Sequence, residues 1–185
     1  MKAQSVFIHG SDGLADMDPP LDGTYSPQEG DITAAEFIVK SVKESPNEVS
    51  LVFLGPLTNL ALALMLYPDI VAKVADIIVM GGALFSPRNS AVLNTPDANL
   101  GNITPTAEAN ICKDPFSARK VLHAGFPPSK LCFITLDITT QTDYTTSSIR
   151  TLFNEASNPI TSFLKKSHEM YSDIYMNKFN RRKVP

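Results

Sequence analysis

The sequence predicts an α/β fold with a mostly parallel sheet flanked by helices. Three observations carry this. Short apolar, partly β-branched runs occur at 49–54, 75–80 and 131–136. Each is separated from the next by helical signals long enough for a crossover. Gly and Pro punctuate the ends of the runs, as in Gly55-Pro56 and Gly81-Gly82.

The elements follow in order. Residues 1–30 are rich in turn formers, with Gly10, Gly13, Pro19, Pro20, Gly23, Pro27 and Gly30. They read as a short extended piece over Ser5–Ile8 and then a long loop. Thr33-Ala34-Ala35-Glu36 is a capping box, which predicts a helix to about Glu44 with Ala34, Ile38 and Val42 on one face. Pro46-Asn47 ends it. Val49–Leu54 predicts a strand buried on both faces, as parallel sheets require. Gly55-Pro56-Leu57-Thr58-Asn59 turns into a helix through about Leu66, and Tyr67-Pro68-Asp69 starts a shorter one. Ala75–Met80 is the next strand. Asp114 is a predicted N-cap with Pro115 at the first helical position. Leu131–Leu136 is a third strand. Ser157-Asn158-Pro159 opens a long helix with Ile160, Phe163, Leu164, Tyr171, Ile174 and Tyr175 on its apolar face.

Composition bounds the function. The 185 residues are 43% hydrophobic and 19% charged, which is globular rather than disordered. A net charge of -3 and a pI near 5.6 give no basis for nucleic-acid binding, and Arg181-Arg182-Lys183 reads as a solvated tail. The apolar stretch Leu51–Tyr67 is broken by Gly55, Pro56 and Asn59, so no membrane span is expected. No apolar leader follows Met1, and a cytoplasmic protein is expected. Cys112 and Cys132 lie beside apolar residues and read as reduced core residues rather than a disulfide or a metal pair.

In such sheets ligands collect beyond the carboxyl ends of the strands, where Thr58, Met80-Gly81-Gly82 and Asp137 fall. The stretch Asn102–Asn110 sets Asn102, Glu108 and Asn110 among small residues. Amides and a carboxylate together donate to and accept from vicinal hydroxyls. An extended backbone would turn Glu108 and Asn110 to one side. The competing reading is turn chemistry, with the asparagines capping backbone groups.

Leu54-Gly55-Pro56-Leu57-Thr58-Asn59-Leu60-Ala61, Ile77–Gly82, Gly101–Pro105, Ala107–Asn110, Asp114-Pro115 and Leu136–Thr139 occur in this order. The ordered set resembles the inosine/uridine-preferring nucleoside hydrolase family. His9-Gly10-Ser11-Asp12-Gly13-Leu14 resembles that family's H-G-x-x-G-L loop. The resemblance implies cleavage of the N-glycosidic bond of ribonucleosides such as inosine or uridine, with a calcium ion on the ribose diol and a water. It implies a calcium ligand at the Thr58 carbonyl, Met80 against the ribose, Asn102, Glu108 and Asn110 on ribose hydroxyls, and His9 on a loop near the base.

The departures shape the expectation. Family members begin with a strand ending in D-x-D-P-G-x-D-D, whose aspartates supply calcium ligands and the general base, and carry a His-Asp pair toward the C-terminus. Here Asp16-x-Asp18-Pro19-Pro20-x-Asp22-Gly23 imitates the first motif after the H-G loop, with Pro20 for glycine and Gly23 for the last aspartate. It reads as a coincidental match. His168 precedes Glu169 and does not match the second motif. Ala83–Leu100 is longer than in compact members, and Thr140 stands where many have histidine. The expectation is a single partial nucleoside hydrolase-like domain over 1–185, incomplete at both ends and with little activity alone. A non-catalytic nucleoside-binding relative or partner subunit is the alternative. Exposed apolar surface would favour a homo-oligomer.

Overall fold

The computed structural model describes residues 10, 11, 16, 17, 32–84, 101–104, 106–139, 151, 153 and 158–179. The expected strand at Ser5–Ile8, the aspartates at positions 12, 18 and 22, His9, Thr140 and the basic tail lie outside these residues. So does the Ala83–Leu100 segment beyond Leu84. The chain divides into two compact units, residues 29–139 and residues 1–28 with 140–185.

The first unit is a three-stranded parallel sheet of order β1-β2-β3 with helices between the strands. Helix α1 (Ala34–Glu44) is closed by the expected capping box. The Glu36 amide donates to Thr33 Oγ1 at 3.3 Å, and the Thr33 amide donates to Glu36 Oε2 at 2.6 Å. Its buried stripe is Ala35 and Val42, with Ile38 and Val39 packed beside them. Ala34 is exposed, contrary to expectation, because the core-facing positions follow i, i+3, i+4, i+7 from Ala35. Asn47 adopts φ 64° just past the helix and reverses the chain.

Strand β1 (Ser50–Phe53) leads through Gly55-Pro56 into α2 (Thr58–Leu66). A short α3 (Ile70–Lys73) returns the chain to β2 (Asp76–Met80). After β2 come α4 (Ala109–Lys113), α5 (Pro115–Leu122), a 3-10 turn at Pro128–Lys130 and β3 (Leu131–Ile134). β3 ends before Thr135, and Leu136, expected as the last residue of the third strand, instead begins helix α6 (Leu136–Thr139).

Register places Leu51 beside Ile77 beside Leu131, and Phe53 beside Val79 beside Phe133. These residues face the core, where Ile77 and Val79 are fully buried with Leu57, Leu60, Ile70, Val74 and Val121. The opposite face carries Val52, Ile78, Cys132, Met80 and Ile134. The expectation that β1 is buried on both faces is therefore corrected, since Val52 is 58% exposed. Helices of the first unit share the core with the face that carries Leu51, Phe53, Ile77 and Val79. The same geometry corrects the reading of Cys132 as a core residue. Both cysteines are free, Cys112 is half-buried, and Cys132 is exposed on the open face.

The second unit contains α7 (Pro159–Phe179). Asn158 starts it, accepting the Thr161 amide at 2.9 Å. Ile160 and Leu164 are exposed, against expectation, while Phe163 and Tyr171 are half-buried and Ser172 is buried. The side chains of Ile174 and Tyr175 lie outside the described set. His168 and Ser172 meet at 3.0 Å, one turn apart, and mark the more buried face. No helix among the described residues is long and apolar enough to cross a membrane.

Candidate functional site

The carboxyl ends of β1, β2 and β3 gather the chemistry. Gly81 and Gly82 close β2, and Gly82 has φ 88°, a conformation glycine adopts without penalty. Gly81 leaves room for its neighbours: a Cβ there would stand 3.2 Å from Ile111 Cδ1 and 3.4 Å from Glu108 Oε2. Helix α4 can thus lie directly against the end of β2.

Glu108 is the N-cap of α4 and is only 3% exposed. Its Oε2 accepts the Gly82 amide and the Ile111 amide, each at 3.0 Å. Its Oε1 accepts the Asn110 amide at 2.9 Å. Three of roughly four acceptor positions on this carboxylate are therefore in use. A buried acid at a helix N-terminus also meets the positive end of the helix dipole.

Asn110 sits in the first turn of α4, so the extended backbone that would align it with Glu108 does not form. Its Nδ2 donates to the Met80 carbonyl at 3.0 Å and to the Leu54 carbonyl at 3.3 Å, and lies 3.3 Å from Met80 Sδ. One amide thus bridges the ends of β1 and β2. Asn102 holds the loop before α4. Its Oδ1 accepts the Ala109 amide at 2.8 Å. The loop turns back on itself, with the Asn102 and Ile103 amides both donating to the Ala107 carbonyl at 3.1 Å. Gly101 is essential to this closure, because a Cβ would stand 2.2 Å from the Ala107 carbonyl oxygen.

Met80, Glu108 and Asn110 are brought together, with Asn102 tied to the start of the same helix. Thr58 makes a different connection. It is the first residue of α2, so its carbonyl takes part in the helix's own ladder. Its hydroxyl donates to Asp114 Oδ2 at 2.5 Å. Asp114 also accepts from the Ser117 amide at 3.0 Å and the Ser117 hydroxyl at 2.7 Å. These hydrogen bonds, the one from Thr58 first, hold its carboxyl below the usual aspartate range. His9 lies outside the described residues.

Two participants escaped the sequence reading of roles. The Leu54 carbonyl joins Met80 at Asn110 and could not be read from side-chain type. Asp137 is buried after β3, where Oδ2 accepts the Leu84 amide at 2.7 Å and the Thr135 hydroxyl at 3.0 Å. Its place at a strand end was visible, but its hold on the backbone after β2 was not.

Calcium takes six to eight oxygen ligands. Among the described residues no group of three or more His, Cys, Asp or Glu side chains is placed to hold a metal ion. The described residues alone therefore do not fit a calcium site. Asp16, at φ 52°, accepts from the Ser11 amide at 2.7 Å and the Ser11 hydroxyl at 2.5 Å, so this acid closes a local turn.

The family model described as inosine-uridine preferring nucleoside hydrolase matches residues 1–185. The chain is 37% identical over 173 residues to probable uridine nucleosidase 2 of Oryza sativa subsp. japonica, covering 94% of this chain and 46% of that protein. It is 34% identical over 168 residues to the pyrimidine-specific ribonucleoside hydrolase RihA of Salmonella arizonae, covering 91% and 47%. The solved purine-preferring ribonucleoside hydrolase from Gardnerella vaginalis superposes with a TM-score of 0.80 at 30% identity, covering 98% of this chain and 51% of that one. The chain spans about half the length of the curated relatives it matches. With the motifs in order, the parallel sheet and the match across its whole length, this chain belongs to the inosine-uridine preferring nucleoside hydrolase family.

Proposed function

We propose that this chain carries the sugar-facing part of a ribonucleoside N-ribosyl hydrolase. In the reaction, water adds at the ribose anomeric carbon and the bond to the base nitrogen breaks. Asn102, Glu108 and Asn110 take the ribose hydroxyls, and Met80 lies against the ring. The family resemblance assigns His9 to the base. The Glu108 carboxylate adds negative charge where the sugar becomes cationic.

The observation that carries this reading is the convergence of Glu108, Asn110 and Met80 at the ends of β1 and β2. Calcium on the Thr58 carbonyl would need several more oxygen donors, and the described residues offer no acidic group of that size. Hydrolysis by the 185 residues alone is accordingly expected to be negligible.

That same deficit favours a second reading, a nucleoside-binding or partner-subunit relative without catalysis. One pair of measurements separates the two: calorimetric titration with inosine and uridine, and release of reducing sugar with and without calcium. The first reading predicts binding by the chain, and hydrolysis once the family's aspartate-bearing segment is supplied. Binding with no hydrolysis after that addition leaves the second. Absence of any nucleoside or ribose binding contradicts both.

A further inference from the structure

We infer that Asp137 is a positioning residue for Glu108: it anchors the backbone strap Gly81–Leu84 and so fixes which oxygen of the Glu108 carboxylate is left for a sugar hydroxyl. The inference rests on the proposed sugar-binding reading for the identity of the ligand, and not for the geometry.

The strap runs between two acids. On one side the Gly82 amide donates to Glu108 Oε2 at 3.0 Å. On the other side the Gly81 amide donates to the Ile134 carbonyl at 3.1 Å, and the Leu136 amide donates to the Gly82 carbonyl at 2.9 Å. The Leu84 amide then donates to Asp137 Oδ2 at 2.7 Å, the length of a charge-assisted bond. Two consecutive glycines, with Gly82 at φ 88°, leave this stretch little stiffness of its own. Its course is set by what holds it, and Asp137 holds its far end.

Asp137 is itself fixed. Its Oδ2 accepts the Thr135 hydroxyl at 3.0 Å. The Thr135 carbonyl accepts the Ile138 and Thr139 amides at 3.0 Å each, which closes the turn that carries the acid. Both Thr135 and Asp137 are buried. Burying a carboxylate is costly unless hydrogen bonds offset it, and here one of those bonds fastens the strap.

The consequence falls on Glu108. Its Oε2 accepts two amides, those of Gly82 and Ile111, whereas Oε1 accepts only that of Asn110 among the described residues. An acceptor position is therefore left on Oε1 and none on Oε2. Asn110 turns its Nδ2 to the Leu54 and Met80 carbonyls, which leaves Oδ1 as its acceptor for a ligand. A sugar hydroxyl thus meets one defined oxygen on Glu108. A strap released from Asp137 would free Oε2 as a second, competing place and loosen that pairing.

Two measurements on the full 185-residue chain test this: the amide proton shift of Gly82 by NMR, which reports its bond to Glu108, and calorimetric affinity for ribose and uridine. Asp137→Ala should move the Gly82 amide upfield and weaken both ligands about tenfold. Asp137→Asn keeps an acceptor for the Leu84 amide and should restore both readouts. Val121→Ala, which destabilises the core away from the strap, should change neither. Where Asp137→Ala does not fold, Thr135→Val removes only the hydroxyl that orients the carboxylate, and should give losses of the same sign of about threefold. An unmoved Gly82 amide in these Asp137 and Thr135 variants overturns the inference. So does a moved amide with unaltered sugar affinity, or Asp137→Asn as damaging as Asp137→Ala. Equal effects from Val121→Ala overturn it too, because the acid is then merely structural. Wild-type protein that binds neither ribose nor uridine contradicts the proposed function instead, and the Gly82 shift with its rescue by Asp137→Asn still decides the positioning.

Discussion

The Gly82 amide donates to Glu108 Oε2 at 3.0 Å, joining the turn after β2 to the start of α4 across 26 residues of sequence. With the Asn110 and Ile111 amides on the same carboxylate, Glu108 organises the site from beneath. Replacing it with alanine leaves three amides short of an acceptor in a buried place. Glu108→Ala should lower unfolding free energy by about 2–3 kcal/mol, read by urea denaturation. Glu108→Gln keeps one acceptor oxygen and should lose less.

Asn110 is specific to its two carbonyl partners. Asn110→Asp places a carboxylate against the Leu54 and Met80 carbonyls, where only a donor fits. It should be less stable at pH 7 than Asn110→Ala, by about 1–2 kcal/mol. The gap should narrow on acidification, because a protonated carboxyl can donate. Urea midpoints of both variants across pH 4–8 check this; equal stabilities would separate Asn110 from any bridging role.

Asp114 gives a second pH signature. Its hydrogen bonds from Thr58 and Ser117 lower its folded pKa, so the folded state holds this proton less tightly than the unfolded chain. Its contribution is full above the unfolded value of about 3.9 and disappears as pH falls through the lower folded value. Asp114→Ala should cost about 1 kcal/mol at neutral pH through loss of the cap. Wild type and variant should converge in acid. A constant difference down to pH 2 would assign the loss to packing.

Burial lowers the pKa of His168 and outweighs the neighbouring Glu169 carboxylate, which raises it. The unfolded chain then binds the proton more readily, so stability is full above about pH 6.5 and declines as pH falls through the folded value. His168→Gln should flatten that decline in a thermal melt of the second unit.

Much of the fold was legible because its signals are local. The Thr33–Glu36 capping box, the Asp114 cap before Pro115 and the three apolar runs each predicted an element that forms. What failed depends on neighbours. Ala34 and Ala35 are equivalent in pattern, yet packing selects Ala35. Val52 looked buried because its run is apolar, but the pattern says nothing about which face of the strand meets the core. At the site, residue types were legible, and so was backbone capping by asparagine, which Asn102 performs on the Ala109 amide, but the particular partners were not. Glu108 finds Gly82, and Asn110 finds Leu54 and Met80, through contacts that only the folded sheet creates.

The central claim is that this cluster receives the sugar half of a nucleoside. The most direct measurement is NMR of the side-chain amides of Asn102 and Asn110 during titration with ribose, inosine, uridine and the free bases. The account predicts that ribose and both nucleosides shift these amides, while hypoxanthine and uracil leave them in place. Shifts caused by the bases alone, or no shift with any of the five, would contradict it.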